Sequence, residues 1–155
     1  EIYQLGSEVI QHNPDFQKYR GNIDLVFTSP PYFAKEAYSE DEEQSYKKFG
    51  TYGLWRDGFL KPTLETAYHW LRPGGYLLWN IADAKFGKDV LPLEQDSNDI
   101  LTNLGMEYIG TEKMCLAQMP GGNRIGDDGK PKTKNFCKVN GMWLKYEPVF
   151  VYRRK

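Results

Sequence analysis

The distribution of apolar and polar stretches along the chain predicts strands that alternate with helices. The run from Ile23 to Phe27, IDLVF, is almost entirely apolar, which is typical of a strand buried on both faces of a parallel sheet. A second such run, YLLWNI, covers residues 76–81. Between the two runs, apolar residues from Trp55 to Leu71 recur at helical spacing, and Pro62 lies either in the first turn of this helix or at a kink. The turn Pro73-Gly74-Gly75 ends the helix and leads into the second strand.

The remaining elements follow the same alternation. They are a strand at 1–6, a short helix before Gly21, an amphipathic helix at 90–104, and strands at 106–117 and 147–153. This order predicts an open α/β sheet, in which ligands bind at the carboxyl ends of the strands. Ser29 lies at such an end, directly after the first buried run.

Two polar segments interrupt the pattern, within what we interpret as a single domain of residues 1–155. Residues 34–54 are acidic and rich in tyrosine, and they predict a mobile lid loop. Residues 120–141 are rich in glycine and lysine and predict a basic loop. This second loop is either a flexible connection or a phosphate-binding segment. In the second case Lys130, Lys132 and Lys134 would bind DNA by charge, without reading bases.

Composition narrows the possible functions only slightly. The formal net charge of −1 argues neither for nor against a polyanionic partner. No apolar run approaches the roughly 20 residues of a membrane span, and no signal pattern opens the chain, so the sequence predicts a soluble cytoplasmic protein with no membrane partner. Cys115 and Cys137 lack the spacing of metal ligands, which predicts buried or free thiols in a reducing compartment and no metal site.

The most informative stretch is FTSPPYF, residues 27–33. Two prolines and two aromatic residues follow a strand that is expected to be buried. One interpretation is a plain turn that ends the strand, and another is a polyproline ligand of the kind that WW domains bind.

FTSPPYF also resembles motif IV of the DNA amino-methyltransferases, whose pattern is Ser, Asp or Asn followed by Pro-Pro and then Tyr or Phe. LRPGGYLLWNIAD, residues 71–83, resembles the next helix-turn-strand of that family, and YEPVFVYRRK, residues 146–155, resembles a later strand. The resemblance implies a Rossmann-like S-adenosylmethionine-dependent methyltransferase sheet. It also implies methyl transfer from S-adenosylmethionine to an exocyclic amine of DNA. Serine at the first motif position favours cytosine, with adenine the other possible base.

The resemblance assigns roles within the motif. An exocyclic amine is a weak nucleophile, so the enzyme must hold acceptors against its hydrogens beside the methyl donor. The Ser29 hydroxyl and the Pro30 carbonyl would accept these hydrogens, and Pro31 would stiffen the corner. A base inside a duplex is out of reach, so it must flip out and stack on Tyr32, aided by Phe33.

The cofactor site is less complete in this sequence. Ser7 follows Gly6 where many relatives carry an acidic residue that contacts the cofactor, and Asn80 and Asp83 end the second predicted strand, where they line the pocket or serve as turn residues. The family's glycine-rich cofactor motif, Phe-x-Gly-x-Gly, is absent. We therefore expect only the catalytic half of the fold, with an exposed hydrophobic strand and either self-association or a missing cofactor-binding segment. The alternative is a remnant that binds DNA or a partner without catalysis.

Overall fold

The computed structural model describes residues 5–33, 41–116, 125–126, 128–132 and 134–155. Most of the strand predicted at 1–6 lies outside these residues. So do the first part of the predicted lid, residues 34–40, and several positions of the predicted basic loop, including residues 120–124.

The described elements follow the predicted alternation. In chain order they are β1 (Ile23–Thr28), α1 (Ser45–Lys48), α2 (Tyr52–Trp55), α3 (Lys61–Trp70), β2 (Leu71–Asn80), β3 (Ala84–Phe86), β4 (Asp89–Leu91), α4 (Leu93–Asn103), β5 (Met106–Cys115), β6 (Phe136–Val139) and β7 (Met142–Arg154). Two 3-10 helices, Ile10–His12 and Pro14–Tyr19, precede β1. A π-helical turn, Arg56–Leu60, joins α2 to α3, and Pro62 stands in the first turn of α3, where a missing N–H costs little.

Five of the described strands form one mixed sheet. The order is β1-β2-β7-β5, with β6 paired to the first part of β7. Strands β1 and β2 are parallel, as a helical crossover requires, whereas β7 is antiparallel to β2, β5 and β6. Strands β3 and β4 form a separate small hairpin. Parallel β1 and β2 therefore direct their carboxyl ends to the same edge of the sheet.

The core lies between the sheet and the helices α3 and α4. Helix α3 packs against β2, and α4 packs against both α3 and β5. Leu77, Trp79 and Tyr152 are buried from the sheet side, and Leu64 and Leu101 are buried from the helix side. The Trp79 indole N–H donates to the Ser97 hydroxyl at 3.0 Å, which satisfies its polar atom inside the core.

The expectation that β1 is buried on both faces is wrong. Leu25 is 54 % exposed and Phe27 is 59 % exposed. Among the described strands, β1 pairs only with β2, so it forms one edge of the sheet. The exposed hydrophobic strand that we expected from a catalytic half is therefore present in the described part of the chain.

Three predicted boundaries also differ from the structure. The Pro73-Gly74-Gly75 turn lies inside β2, as an irregular segment between the pairs Ile23–Leu71 and Leu25–Tyr76. The predicted lid contains α1 and the first residues of α2, and the predicted basic loop contains β6. Short helical turns and a hairpin strand were missed because tertiary packing, rather than an apolar period, stabilises them.

Candidate active site

The four residues of the Ser-Pro-Pro-Tyr motif, Ser29–Tyr32, lie directly after β1 at the carboxyl edge of the sheet. The last β1–β2 pair joins Thr28 to Trp79, so the two chains leave the sheet side by side. The Tyr32 hydroxyl then accepts a hydrogen bond from the Ala82 backbone N–H at 2.9 Å. This bond ties the loop after β1 to the loop after β2 and holds the motif at the point where open α/β sheets bind ligands.

The predicted stacking surface is not exposed in this structure. Tyr32 is 8 % exposed and Phe33 is 4 % exposed, and both belong to the hydrophobic core. The Phe33 ring packs against Tyr52, Trp55 and Phe86, with ring centroids 5.5–6.0 Å apart. Neither ring presents an exposed face in this structure, and the stacking of a base on them stays a prediction. A WW-domain ligand needs an accessible tyrosine in an extended segment, so burial also argues against that interpretation.

Ser29 and Pro31 remain reachable from solvent. Ser29 is exposed, whereas Pro30 is buried and Pro31 is half-buried. Pro31 forms part of a pocket of about 140 Å³, whose other walls are Gly6, Glu8, Phe59 and residues 43–46 around the start of α1. The motif thus borders a small cleft that the segment before β1 helps to form.

Glu8 is the functional candidate that the sequence reasoning missed. Its carboxylate is 8 % exposed and lies 3.4 Å from the Lys48 ammonium group. A Cβ placed on Gly6 would meet the Glu8 Oε2 atom at 2.4 Å, so the carboxylate folds directly over this glycine. Hydrogen bonding to Glu43, together with the charges of Glu43 and Glu8, raises the pKa of Lys48. An acidic group thus follows Gly6 after all, one residue later than the position we considered.

Ser7 does not face the pocket that Glu8 and Pro31 line. Its hydroxyl forms a hydrogen bond of 2.8 Å with the Thr63 hydroxyl of α3. The Ser7 backbone carbonyl also accepts from the Thr66 hydroxyl at 3.5 Å. These contacts give Ser7 a structural role in docking the segment before β1 onto α3, and they do not support its predicted contact with a cofactor.

Comparison with known proteins identifies the family. The family model of the DNA methylases, the N6/N4 methyltransferase type, matches residues 23–147. The chain belongs to the DNA methylase family. A search of the curated proteins found no match.

Solved structures confirm the fold of this chain. A Thermus thermophilus protein, TTHA0409, assigned as a DNA modification methylase, is 20 % identical with a TM-score of 0.55, and the match covers 96 % of this chain and 49 % of that one. The same protein in complex with S-adenosyl-L-methionine is 19 % identical with a TM-score of 0.57, and the match covers 97 % of this chain and 54 % of that one. The chain therefore spans about half the length of these structures.

Asn80 supplies a buried acceptor at the end of β2. Its amide N–H donates to the Pro148 carbonyl at 2.9 Å, which orients the side chain. Its Oδ1 atom is buried and is the one buried side-chain polar atom without a hydrogen-bond partner within the described ranges. Since an unpaired buried acceptor costs about 1–3 kcal/mol, such an atom marks a place where a donor is missing.

The contacts of Asp83 are those of a strand-end turn residue, which is one of the two roles that the sequence left open for it. Its carboxylate accepts from the Glu94 backbone N–H at 3.1 Å, and its own N–H donates to the Glu94 carboxylate at 3.2 Å. The pair caps the first turn of α4 and satisfies donors that the helix leaves free.

Lys134 of the predicted basic loop is exposed. Burial raises the pKa of Glu94, while the Asp83 backbone N–H and the positive charge of Lys134 oppose this rise. Lys130 and Lys132 are also exposed, and the backbone of the first is held by a hydrogen bond to Asp128.

The described residues contain neither a cluster of metal ligands nor a helix that could span a membrane. No cluster of three or more metal-ligating side chains occurs in the part of the chain that the structure describes. None of the helices described here has the length and hydrophobicity of a membrane span.

Proposed function

We propose that this chain is the catalytic half of a DNA methyltransferase that transfers a methyl group from S-adenosylmethionine to an exocyclic amine of cytosine or adenine. The observation that carries the proposal is the Ser-Pro-Pro-Tyr corner at the carboxyl edge of parallel strands, tied to the second strand by the hydrogen bond between Tyr32 and Ala82. Serine at the first position favours cytosine as the target base.

The corner supplies acceptors and rigidity. The exposed Ser29 hydroxyl and the Pro30 carbonyl would accept the two amine hydrogens of the target base, which raises electron density on the nitrogen. Both prolines have restricted φ angles and no N–H, so they hold these acceptors with little loss of entropy on binding. S-adenosylmethionine, when bound, supplies an electrophilic methyl group beside this corner.

Tyr32 contributes to this function as a positioning residue. Its hydroxyl bond to Ala82 holds the prolines against the end of β2. The stacking of a flipped base on Tyr32 and Phe33 stays a prediction, and it requires these rings to become more exposed than they are here.

The described residues fit one end of S-adenosylmethionine. The Glu8 carboxylate lines the pocket beside Pro31, and the cofactor carries ribose hydroxyls and an α-ammonium group as donors. The unpaired Asn80 Oδ1, which is buried at the end of β2 and does not line this pocket, is a second acceptor for such a donor. The pocket of about 140 Å³ is smaller than the roughly 300 Å³ at which ligand pockets of drug-sized molecules begin. The absent glycine-rich motif accounts for this shortfall, because the rest of the cofactor would bind a further segment.

DNA binding is assigned to the basic loop at residues 120–141. Lys130, Lys132 and Lys134, which are all exposed, would neutralise backbone phosphates. Binding through these lysines should weaken as salt rises, with little dependence on DNA sequence.

The direct test is methyl transfer by the product of the complete gene, with labelled S-adenosylmethionine and duplex DNA. Ser29→Ala removes an exposed hydroxyl at the motif, and we expect at least a tenfold loss of kcat with an unchanged thermal midpoint. Thr102→Ala removes an exposed hydroxyl on α4 and serves as the matched control with normal turnover. Full activity in the Ser29→Ala protein would count against the proposed role of this corner. Analysis of the methylated base separates N4-methylcytosine from N6-methyladenine.

The second candidate function is DNA or partner binding without catalysis, which the missing glycine-rich motif favours. Calorimetric titration with S-adenosylmethionine separates the two. Measurable binding that weakens in a Glu8→Gln variant supports the methyltransferase, whereas DNA binding without any cofactor binding by the complete gene product supports the alternative.

The open edge of the sheet indicates what completes the fold. Leu25 and Phe27 are exposed on β1, and Tyr76 beside them is 39 % exposed. The structural relatives are about twice as long, so we assign this edge to a complementary segment that carries the cofactor-binding strands. Side chains of a strand project from the faces of a sheet, so Leu25, Phe27 and Tyr76 form an uncovered apolar face beside the open edge. The isolated chain should self-associate through this edge and face in light scattering. Phe27→Lys should reduce the association, and Met142→Lys, at a similarly exposed site on β7, should not. A monomeric wild-type chain would contradict this assignment.

A further inference from the structure

The two cysteines of the chain meet in space although 22 positions separate them. The Cys115 and Cys137 Sγ atoms lie 3.5 Å apart, and both thiols are free. Cys115 is exposed and Cys137 is half-buried, so solvent molecules can reach the pair. Sequence spacing did not predict this proximity.

Strand β7 determines the position of both thiols. Cys115, the last residue of β5, pairs with Tyr146, and Cys137 of β6 pairs with Leu144, two residues earlier on the same strand. Where the two pairings meet, the Leu116 N–H donates to the Lys145 carbonyl at 2.8 Å. Both thiols therefore belong to strands that pair with the same short stretch of β7.

The segment between the cysteines is the one that carries the predicted DNA-binding lysines. Its described part is folded back on itself: Ile125 pairs with Pro131, and the Gly126 N–H donates to the Lys130 carbonyl at 2.7 Å. The Trp143 indole N–H donates to the Gly129 carbonyl at 3.0 Å, which connects this turn to β7. A covalent bond between the thiols would close the base of this segment.

We propose that Cys115 and Cys137 are an oxidative modification site that forms a reversible intrachain disulfide. The contact distance must shorten by roughly 1.5 Å to reach the S–S bond length of about 2.05 Å, a change that side-chain rotation on the exposed side can supply. Because it links the two ends of the segment, the bond restricts the segment in the unfolded and locally opened states.

The oxidant in this reaction is a peroxide, which takes up the two electrons that the two thiols lose. One thiolate attacks the O–O bond of hydrogen peroxide, which gives a sulfenic acid and, after protonation of the leaving hydroxide, water. The second thiol then attacks the sulfenic sulfur, the S–O bond breaks, and a second water leaves. Two thiols and one hydrogen peroxide become one disulfide and two waters, and a dithiol reductant restores both thiols.

The first experiment follows the oxidation by mass. The reduced protein is treated with a small excess of hydrogen peroxide, then alkylated and analysed as the intact chain and as peptides. We expect the loss of two hydrogens, no alkylation of either cysteine, and one linked peptide pair that dithiothreitol separates. Alkylation of both cysteines after peroxide treatment, or disulfides only between two chains, would overturn the proposal.

Two variants that each lack one cysteine test whether the two sulfur atoms react with each other. In Cys115→Ser the remaining Cys137 should stay alkylatable or oxidise further to sulfinic acid, and Cys137→Ser should behave in the same way at Cys115. Limited digestion with trypsin gives a readout that needs no variant, because cleavage after the exposed Lys132 or Lys134, between the two cysteines, leaves two fragments. In the oxidised wild type these fragments should remain one band without reductant and separate with it. Separation of the fragments without reductant would refute the intrachain bond.

Closure of the segment can be tested independently of methyl transfer. Oxidation should slow tryptic cleavage at these lysines severalfold, since local opening of the segment precedes cleavage. An unchanged cleavage rate in a protein shown to carry the disulfide would contradict the restriction of the segment.

Discussion

Removal of the Tyr32 hydroxyl tests the clamp between the motif and β2. In Tyr32→Phe the ring remains in the core, but the Ala82 N–H loses its acceptor at 2.9 Å. A net hydrogen bond is worth about 0.5–1.5 kcal/mol, and a poorly solvated N–H left unpaired costs about 1–3 kcal/mol. We therefore expect a loss of about 1–2 kcal/mol in the free energy of unfolding. For a chain of this size that loss lowers the thermal midpoint by about 2–8 °C.

The assay combines urea denaturation with methyl transfer by the complete gene product. Since the motif becomes less restrained, kcat should fall by about tenfold, which corresponds to about 1.4 kcal/mol, while the KM for DNA changes little. Tyr152→Phe is the matched control, because the buried Tyr152 hydroxyl donates to the Asn98 side chain at 3.0 Å on the far part of the sheet. It should lose similar stability with normal kcat. Equal kcat in the wild type and in Tyr32→Phe would refute the positioning role.

Two further predictions concern the frame of the sheet. Gly75→Ala places a Cβ 3.0–3.1 Å from backbone carbonyl oxygens, including those of Ile23 and Asp24. We expect it to lower the free energy of unfolding, measured by urea denaturation, by about 1–3 kcal/mol. Gly110→Ala is the control and should leave this free energy unchanged, because nothing lies within 4 Å of the new Cβ. A Gly75→Ala protein as stable as the wild type would show that the strands can separate freely here. The pKa of Tyr152 is raised from 10.0 to about 12, mainly by burial and to a smaller extent by the charges of nearby acidic groups. The neutral phenol therefore stabilises the fold below pH 10, and this contribution is lost as the pH rises towards 12. Alkaline unfolding followed by circular dichroism should therefore depend less steeply on pH in Tyr152→Phe, and identical slopes would exclude this origin.

The candidate site shows which parts of a motif can be predicted locally. The position of Ser29–Tyr32 after a strand follows from an apolar run that ends in two prolines, and the structure confirms it. The burial of Tyr32 and Phe33 depends on α2 and on the loop after β2, which are distant in sequence, so no local pattern predicts it. For the same reason, the sequence alone indicates Ser7 rather than Glu8 as the residue near the cofactor. Only the docking onto α3 shows which of the two side chains faces the pocket.

The sequence by itself determined the alternation of strands and helices, the position of the proline corner and the resemblance to the DNA methylases, because each depends on residues that are close in the chain. Tertiary structure alone decided that β1 is an edge among the described strands, that β7 runs antiparallel, and that the two thiols meet. These features depend on strand order and register, which hydrogen bonds between distant segments determine. No local pattern of residues contains that information.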